Sequence, residues 1–515
     1  MKTLRRRIGR NMNYLKKLLG YIVTMAMVLT LTQVGIGAVH AEGTTYTLKL
    51  NGTTTGHTYE AYQIFKGDLS TNTDGKKVLS NVKWGEGVTY TQGKGENKSA
   101  ADVAKDLGDG IMTIDTLIDR LTLTTPAATK DSLKESTVID GLNAGYYLVK
   151  DKDGSLQSTS SDAYTKFIVK VVGDSEANVK SDVPTVEKKV QDKNDTDGTT
   201  SEWQDSADYD IGDDIQYQIT GTMPDRIDDY TTYKYIFTDT MSKGLTYTAN
   251  NATITIGGKD VTSSFTEKVT PNADGTDKTK VTWTCDNLKG IKDVTVDANT
   301  TVVVNYTAKL NENAVIGAAG NPNTVNLTYS NNPNRGGDGD TGKTPDDTNI
   351  VFTYKTVVNK VDKDNHPLAG AGFTLQKEYK KEDGTTEYRD VETIEAKDEK
   401  STFEFTGLDD GNYKLIESTT PAGYNTITPI EFTISATHDT TNDNPSLTEL
   451  KVESKSATFK ADKDAGSLTT DVVNKKGSVL PSTGGMGTTV LYVLGGVLVA
   501  LAAAYVIYTK KHEKA

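Results

Sequence analysis

Near the C-terminal end of this 515-residue chain, three polar residues stand where apolar ones are expected. In a half-buried strand, residues two apart share a face. Val358 shares one with Lys360, Tyr413 and Leu415 share one with Glu417, and Val472 shares one with Asn474. Burying each polar group alone would cost several kcal/mol. Burying them together can do chemistry. In a dry core a lysine loses its proton more readily and a carboxyl keeps its own. The neutral amine is then a nucleophile. A protonated Glu417 can hydrogen-bond the Asn474 amide, polarise its carbonyl and help ammonia depart. The product is a Lys360–Asn474 isopeptide bond, with Glu417 as its promoting acid.

The middle of the chain carries the same signature in another order. Lys188 lies between Val186 and Val190 on one face, Asp239 follows Tyr233, Tyr235 and Phe237, and Asn323 precedes Val325, Leu327 and Tyr329. The expected set is Lys188, Asp239 and Asn323, with Lys189 replacing Lys188 if the register moves by one. In the first third of the chain, Lys49 aligns with Lys360 and Asp151 with Glu417, and Asn178 could stand for Asn474. There the alternation sets Lys49 opposite Tyr46, Leu48 and Leu50, pointing it outward.

Sheets must position these groups. Composition is rich in Thr, Val and Tyr, with period-2 alternation and many Asn, Asp and Gly turns. It predicts an all-β chain of tandem immunoglobulin-like sandwiches. A helix is expected near 99–107, with Ser99 as N-cap, and another around 114–121. Three domains are expected, at 42–183, 184–349 and 350–477, with the Asn-, Gly-, Asp- and Pro-dense stretch 332–349 read as a linker or long loop. The segments 141–151 and 407–417 match in frame, so the first and third domains look like diverged copies of one unit.

The two ends speak of export. Seven basic residues from Lys2 to Lys17 precede an apolar stretch and then Val39-His40-Ala41, as in a cleaved leader over 1–41. At the other end, Leu480-Pro481-Ser482-Thr483-Gly484 is followed by an apolar run from Thr488 to Tyr508 and a basic tail. At ~1.5 Å per residue the run reaches roughly 30 Å, enough for a transmembrane helix within 485–515. Removing the seven leader charges and the net +2 of the tail deepens the net charge from −13 to −22, which disfavours nucleic acid and anionic lipid. One cysteine, Cys285, leaves no internal disulfide to brace an exported chain.

These residues carry a resemblance. The stretch 480–484 with its anchor resembles the sorting signal read by sortases of Gram-positive bacteria, in which a transpeptidase cysteine cuts between Thr and Gly, here Thr483 and Gly484. Lys360-Val361-Asp362, Leu368 to Phe373, Tyr413 to Glu417 with Pro421-Ala422-Gly423-Tyr424, and Val473-Asn474-Lys475 resemble the B-type collagen-adhesin repeat domain. The middle trio resembles its A-type relative, in which Asp replaces Glu. Taken whole, the chain resembles the major (backbone) subunit of sortase-assembled pili.

The resemblance implies that sortase joins the Thr483 carbonyl of one subunit to a lysine near the end of the next subunit's first domain. Lys180 is the expected acceptor, and Lys170 and Lys189 are alternatives, since the aromatic-Pro-Lys form of the pilin motif is absent. It further implies head-to-tail copies of the chain, minor pilin subunits, peptidoglycan attachment at the cell surface, and contact with host surface proteins. A monomeric wall-linked adhesin binding a host matrix protein shares the same signals and is the rival reading. The five histidines show no zinc spacing, and Asp192, Asn194, Asp197, Asp338 and Asp340 miss the EF-hand spacing and read as turn formers. No cofactor, metal site or enzyme fingerprint is found. The expected chemistry is single-turnover and self-directed.

Overall fold

The computed structural model describes residues 44–72, 75–179, 182–337, 339–397, 399–477 and 487–512, with side chains of 492–506 alone in the last stretch. The regular structure of the described chain is mostly strand, arranged as successive two-sheet units.

In the first unit a small sheet orders Ser175–Asn178, Tyr46–Thr53 and Glu135–Leu142, with Tyr46–Thr53 and Ser175–Asn178, its first and last strands in the chain, parallel. It faces a larger sheet built on Thr58–Thr71, Gly145–Asp151 and Lys166–Val171. Leu48, Leu50, Ile139 and Val149 pack between them. The helix Ala100–Gly108 starts at Ser99, whose hydroxyl accepts from Asp102 N–H while Asp102 accepts from Ser99 N–H. This reciprocal cap satisfies two donors that a helix start leaves unpaired. Ile114–Asp119 follows, capped by Thr113.

The middle unit packs two larger sheets over one aromatic-rich core. One runs Val186–Val190, Asp214–Gly221, Val302–Leu310, Thr253–Ile256; the other runs Ser206–Asp208, Asp347–Phe352, Asn321–Ser330, Tyr235–Met241, Thr279–Cys285. Phe237, Trp283 and Val325 fill the space between them, and Cys285 is buried and free.

The stretch 332–349 is not a linker. Pro333–Arg335 forms a 3-10 turn, Thr341–Lys343 pairs with Thr328–Ser330, and Asp347–Phe352 pairs with the Asn321 strand. Its polar residues bond within the fold, as Asn332 does to Asp340 at 2.6 Å and Asn349 to the Lys188 carbonyl at 3.0 Å. Turn-rich composition disguised a strand whose ladder completes the middle sheet. Ile350 and Val351 therefore belong to the middle sheet, and the next strand begins at Tyr354.

In the third unit Tyr354–Val361 lies parallel to Ser467–Val473, with Thr402–Leu408 on its other side. The facing sheet orders Thr386–Ile394, Gly372–Lys380, Gly411–Thr419, Ile430–His438 and Leu447–Ser454. Gly141 and Gly407 open the matching segments of the first and third units, and both need the left-handed conformation, at φ 75° and 77°. The parallel first-to-last pairing also recurs in these two units. Among the described residues no helix is long and apolar enough to cross a membrane; the C-terminal helix Gly487–His512 extends beyond its described side chains.

Candidate cross-linking sites

In the middle unit, strand alternation turns Lys188 and Val190 inward and Lys189 outward. Lys189 pairs instead with Asp205 at 2.7 Å, so the alternative register is not adopted. Lys188 reaches between the sheets and is fully buried. Its Nζ donates to Asp239 Oδ1 at 2.8 Å and to the Tyr306 hydroxyl. Asp239 and Asn323 come from neighbouring antiparallel strands of the opposite sheet, where Asp239 pairs with Val325 and Asn323 with Met241. Asn323 Nδ2 donates to the Tyr306 hydroxyl at 2.9 Å, and that hydroxyl donates to Asp239 Oδ2. The Asn323 carbonyl oxygen is buried with no hydrogen-bond partner. The rings of Tyr217 and Tyr306, stacked 5.3 Å apart, flank the amine at 4.9 and 5.0 Å. Burial pushes the Lys188 amine below its ordinary value, against the pull of Asp239.

In the third unit the amine and amide come from adjacent strands of one sheet. Lys360 pairs with Val472, so Asn474 lies just beyond it, its N–H bonded to the Val361 carbonyl at 3.1 Å. Glu417 enters from the facing sheet and accepts from Asn474 Nδ2 at 2.8 Å. Its other oxygen accepts from Ile427 N–H at 3.0 Å. Lys360 Nζ donates to the carbonyls of Val472 and Val361, at 2.8 and 3.2 Å. Burial pushes this amine down to about 8, against Glu417. The Asn474 carbonyl oxygen, like that of Asn323, is buried without a partner. Each site thus holds a desolvated amine, a carboxyl and an unpaired amide carbonyl, the groups that amide exchange requires.

The first unit does not assemble such a set. Leu48 and Leu50 take the core positions, leaving Lys49 half-buried on the outer face and Asn178 exposed. Asp151 is buried, but it accepts from His57 Nδ1 at 2.8 Å and from Thr165 N–H at 2.6 Å. Burial lowers the His57 ring's affinity for a proton, yet its bonds to Asp151 and Asp162 prevail and raise it to about 9. A histidine ion pair therefore engages the acid that aligns with Glu417. Sequence reading missed His57 and Tyr306. Both stand on apolar faces, but a lone histidine or tyrosine there has no distinctive spacing.

Lys170 donates to the Lys77 carbonyl at 2.9 Å. Asn194 and Asp197 accept from backbone N–H groups of their own turn. The expected leader (1–41), Lys180 and the segment Leu480, Pro481, Ser482, Thr483 and Gly484 lie outside the described residues.

Comparison with known proteins bears on these sites and on the undescribed ends. Residues 211–333 match the Gram-positive pilin backbone subunit 2, Cna-B-like domain. Residues 355–445 match a SpaA-type prealbumin-like fold domain, and residues 472–515 match the LPXTG cell wall anchor motif. The matched models are thus a pilin backbone domain, a prealbumin-like domain and a wall anchor, in that order along the chain. The trypsin-resistant surface T6 protein of Streptococcus pyogenes serotype M6 is 26% identical over 95% of this chain and 100% of its own length. The solved T6 backbone pilin, a modular three-domain structure, shares the fold with a TM-score of 0.51 and 18% identity, covering 84% of this chain and 99% of that one. This pilin is a structural subunit of a cell-wall-anchored surface pilus, polymerised by sortase, and not an enzyme. The middle domain, expected on the A-type pattern, matches a model described as Cna-B-like.

Proposed function

We propose that this pilin is braced by two self-formed amide bonds, Lys188–Asn323 and Lys360–Asn474, promoted by Asp239 and Glu417. The observation that carries the reading is the burial, in two successive sandwiches, of a lysine, a carboxyl and an asparagine in one dry site. Sortase cleaves between Thr483 and Gly484 and transfers the threonyl carbonyl to Lys180 of the next copy. Domain boundaries near residues 183 and 352, an apolar span within 485–515, and a leader removed at Ala41 complete the layout. Repetition of one heterologous link gives an open filament. Tension then runs from Lys180 through the braced domains to Thr483, and each brace lets load bypass the sheet ladders. Minor pilins cap or attach the fibre, peptidoglycan holds its base, and host surface proteins are its contacts.

The test is electrophoresis of wall extracts in boiling detergent. A ladder of high-mass species is expected from the natural chain and none from Lys180→Ala. A ladder unchanged by that substitution would move the acceptor to another lysine, and a single band from both would overturn the linkage.

A further inference from the structure

We propose that Tyr306 is a catalytic residue of the middle-domain reaction, carrying a proton from the attacking amine to the departing ammonia. The inference rests on the reading that Lys188 and Asn323 become joined. Its ground is a single oxygen that touches every reacting group. The Tyr306 hydroxyl accepts from Lys188 Nζ and from Asn323 Nδ2 at 2.9 Å, and donates to Asp239 Oδ2. The residue is 3% exposed, so no water competes for these bonds.

The third domain shows why a relay is needed in one site and not the other. There Glu417 bonds the asparagine amide directly, at 2.8 Å. Asp239 is one methylene shorter, and the tyrosine hydroxyl stands between it and Asn323. Nζ and Nδ2 meet the same oxygen, whereas of these two nitrogens the carboxylate contacts only Nζ.

The reaction balances as follows. The ammonium of Lys188 passes one proton to Asp239 Oδ1. The neutral amine attacks Asn323 Cγ, the Nζ–Cγ bond forms, and the carbonyl electrons move to Oδ1. Nζ, now cationic, gives a proton to the Tyr306 oxygen as Tyr306 gives its own to Nδ2. The Cγ–Nδ2 bond breaks, the carbonyl re-forms and ammonia leaves, taking the Asp239 proton as it goes. Nothing is oxidised or reduced, and Tyr306 ends as it began.

The test follows cross-linking in full-length chain made by cell-free translation, with samples quenched over time, digested and weighed. Tyr306→Phe keeps the ring that flanks Lys188 and removes only the hydroxyl. It is expected to slow formation of the linked Lys188–Asn323 peptide roughly 100-fold, in the range of lost general acid–base catalysis. The Lys360–Asn474 peptide of the same molecules should form at its usual rate. Should Tyr306→Phe fail to fold, the natural chain still decides: synthesis in heavy water should slow the Lys188–Asn323 link. A Tyr306→Phe chain that links as fast as the natural one, or a natural rate indifferent to heavy water, would overturn the relay. A natural chain with Lys188 and Asn323 both unlinked would instead overturn the reading beneath it.

Discussion

Asn474 donates a side-chain N–H to Glu417 across 2.8 Å, with both residues buried. The bond leaves the Asn474 carbonyl oxygen unpaired, in the same dry site as the Lys360 amine. A buried polar group without a partner is costly in a finished fold. It is well suited to a state that reacts onward.

Intact mass should reveal the two bonds. Each link expels one ammonia, so the natural chain should weigh about 17 Da less per link than its sequence requires. Asp239→Ala and Glu417→Ala should each restore one increment. By analogy with a disulfide closing a loop of this length, each lost link should cost about 4–5 kcal/mol in unfolding free energy. A natural chain with no deficit would refute both sites.

The third-domain reaction should depend on pH with a definite sign. Lys360 attacks only when neutral, and burial brings its amine down to about 8. Below that value the neutral fraction falls, so the rate of linking should rise roughly tenfold per pH unit up to about pH 8 and level off above it. Quenched time courses by mass spectrometry measure this directly. A rate flat between pH 5 and 7 (on the order of two units below the amine) would contradict it.

The first domain should weaken at alkaline pH. Its His57 binds a proton more tightly folded, at about 9, than unfolded, near 6.5. The stabilisation is fully present below about 6.5 and is lost as pH rises through about 9, a change of as much as ~3 kcal/mol. Asp162 lies 3.5 Å from the His57 ring, and its backbone carbonyl accepts from Asn331 of the middle domain. Loss of the His57 proton should therefore also loosen that junction. Hydrogen exchange around 151–165 should accelerate above pH 8 to 9 in the natural chain and already be fast in His57→Phe.

Lys377 should hold the middle and third domains together. It is fully buried, and its Nζ meets Asp210 of the middle domain and Asp409 of its own. Burial alone would lower this amine, but the carboxylates beside it raise it above its ordinary value, so it stays charged. Lys377→Met would leave these carboxylates uncompensated, costing about 3–5 kcal/mol. Small-angle scattering should then report a wider range of angles between the two domains, and calorimetry an earlier transition.

What could be read from the sequence is what a strand imposes on its own residues. Alternation is local, so the inward placement of Lys188, Lys360, Glu417 and Asn474 and the outward turn of Lys49 followed from their neighbours alone. The sorting signal is likewise a short contiguous run, legible without a fold. Partnership across the core depends on which distant strands pair and how two sheets face each other, and no local pattern encodes that. Tertiary structure alone put Asn323 on the sheet opposite Lys188 but Asn474 beside Lys360. It drew Asp347–Phe352 out of an apparent linker into the middle sheet. It set His57 against Asp151, and it placed the Tyr306 hydroxyl between a short acid and the amide that the acid does not contact.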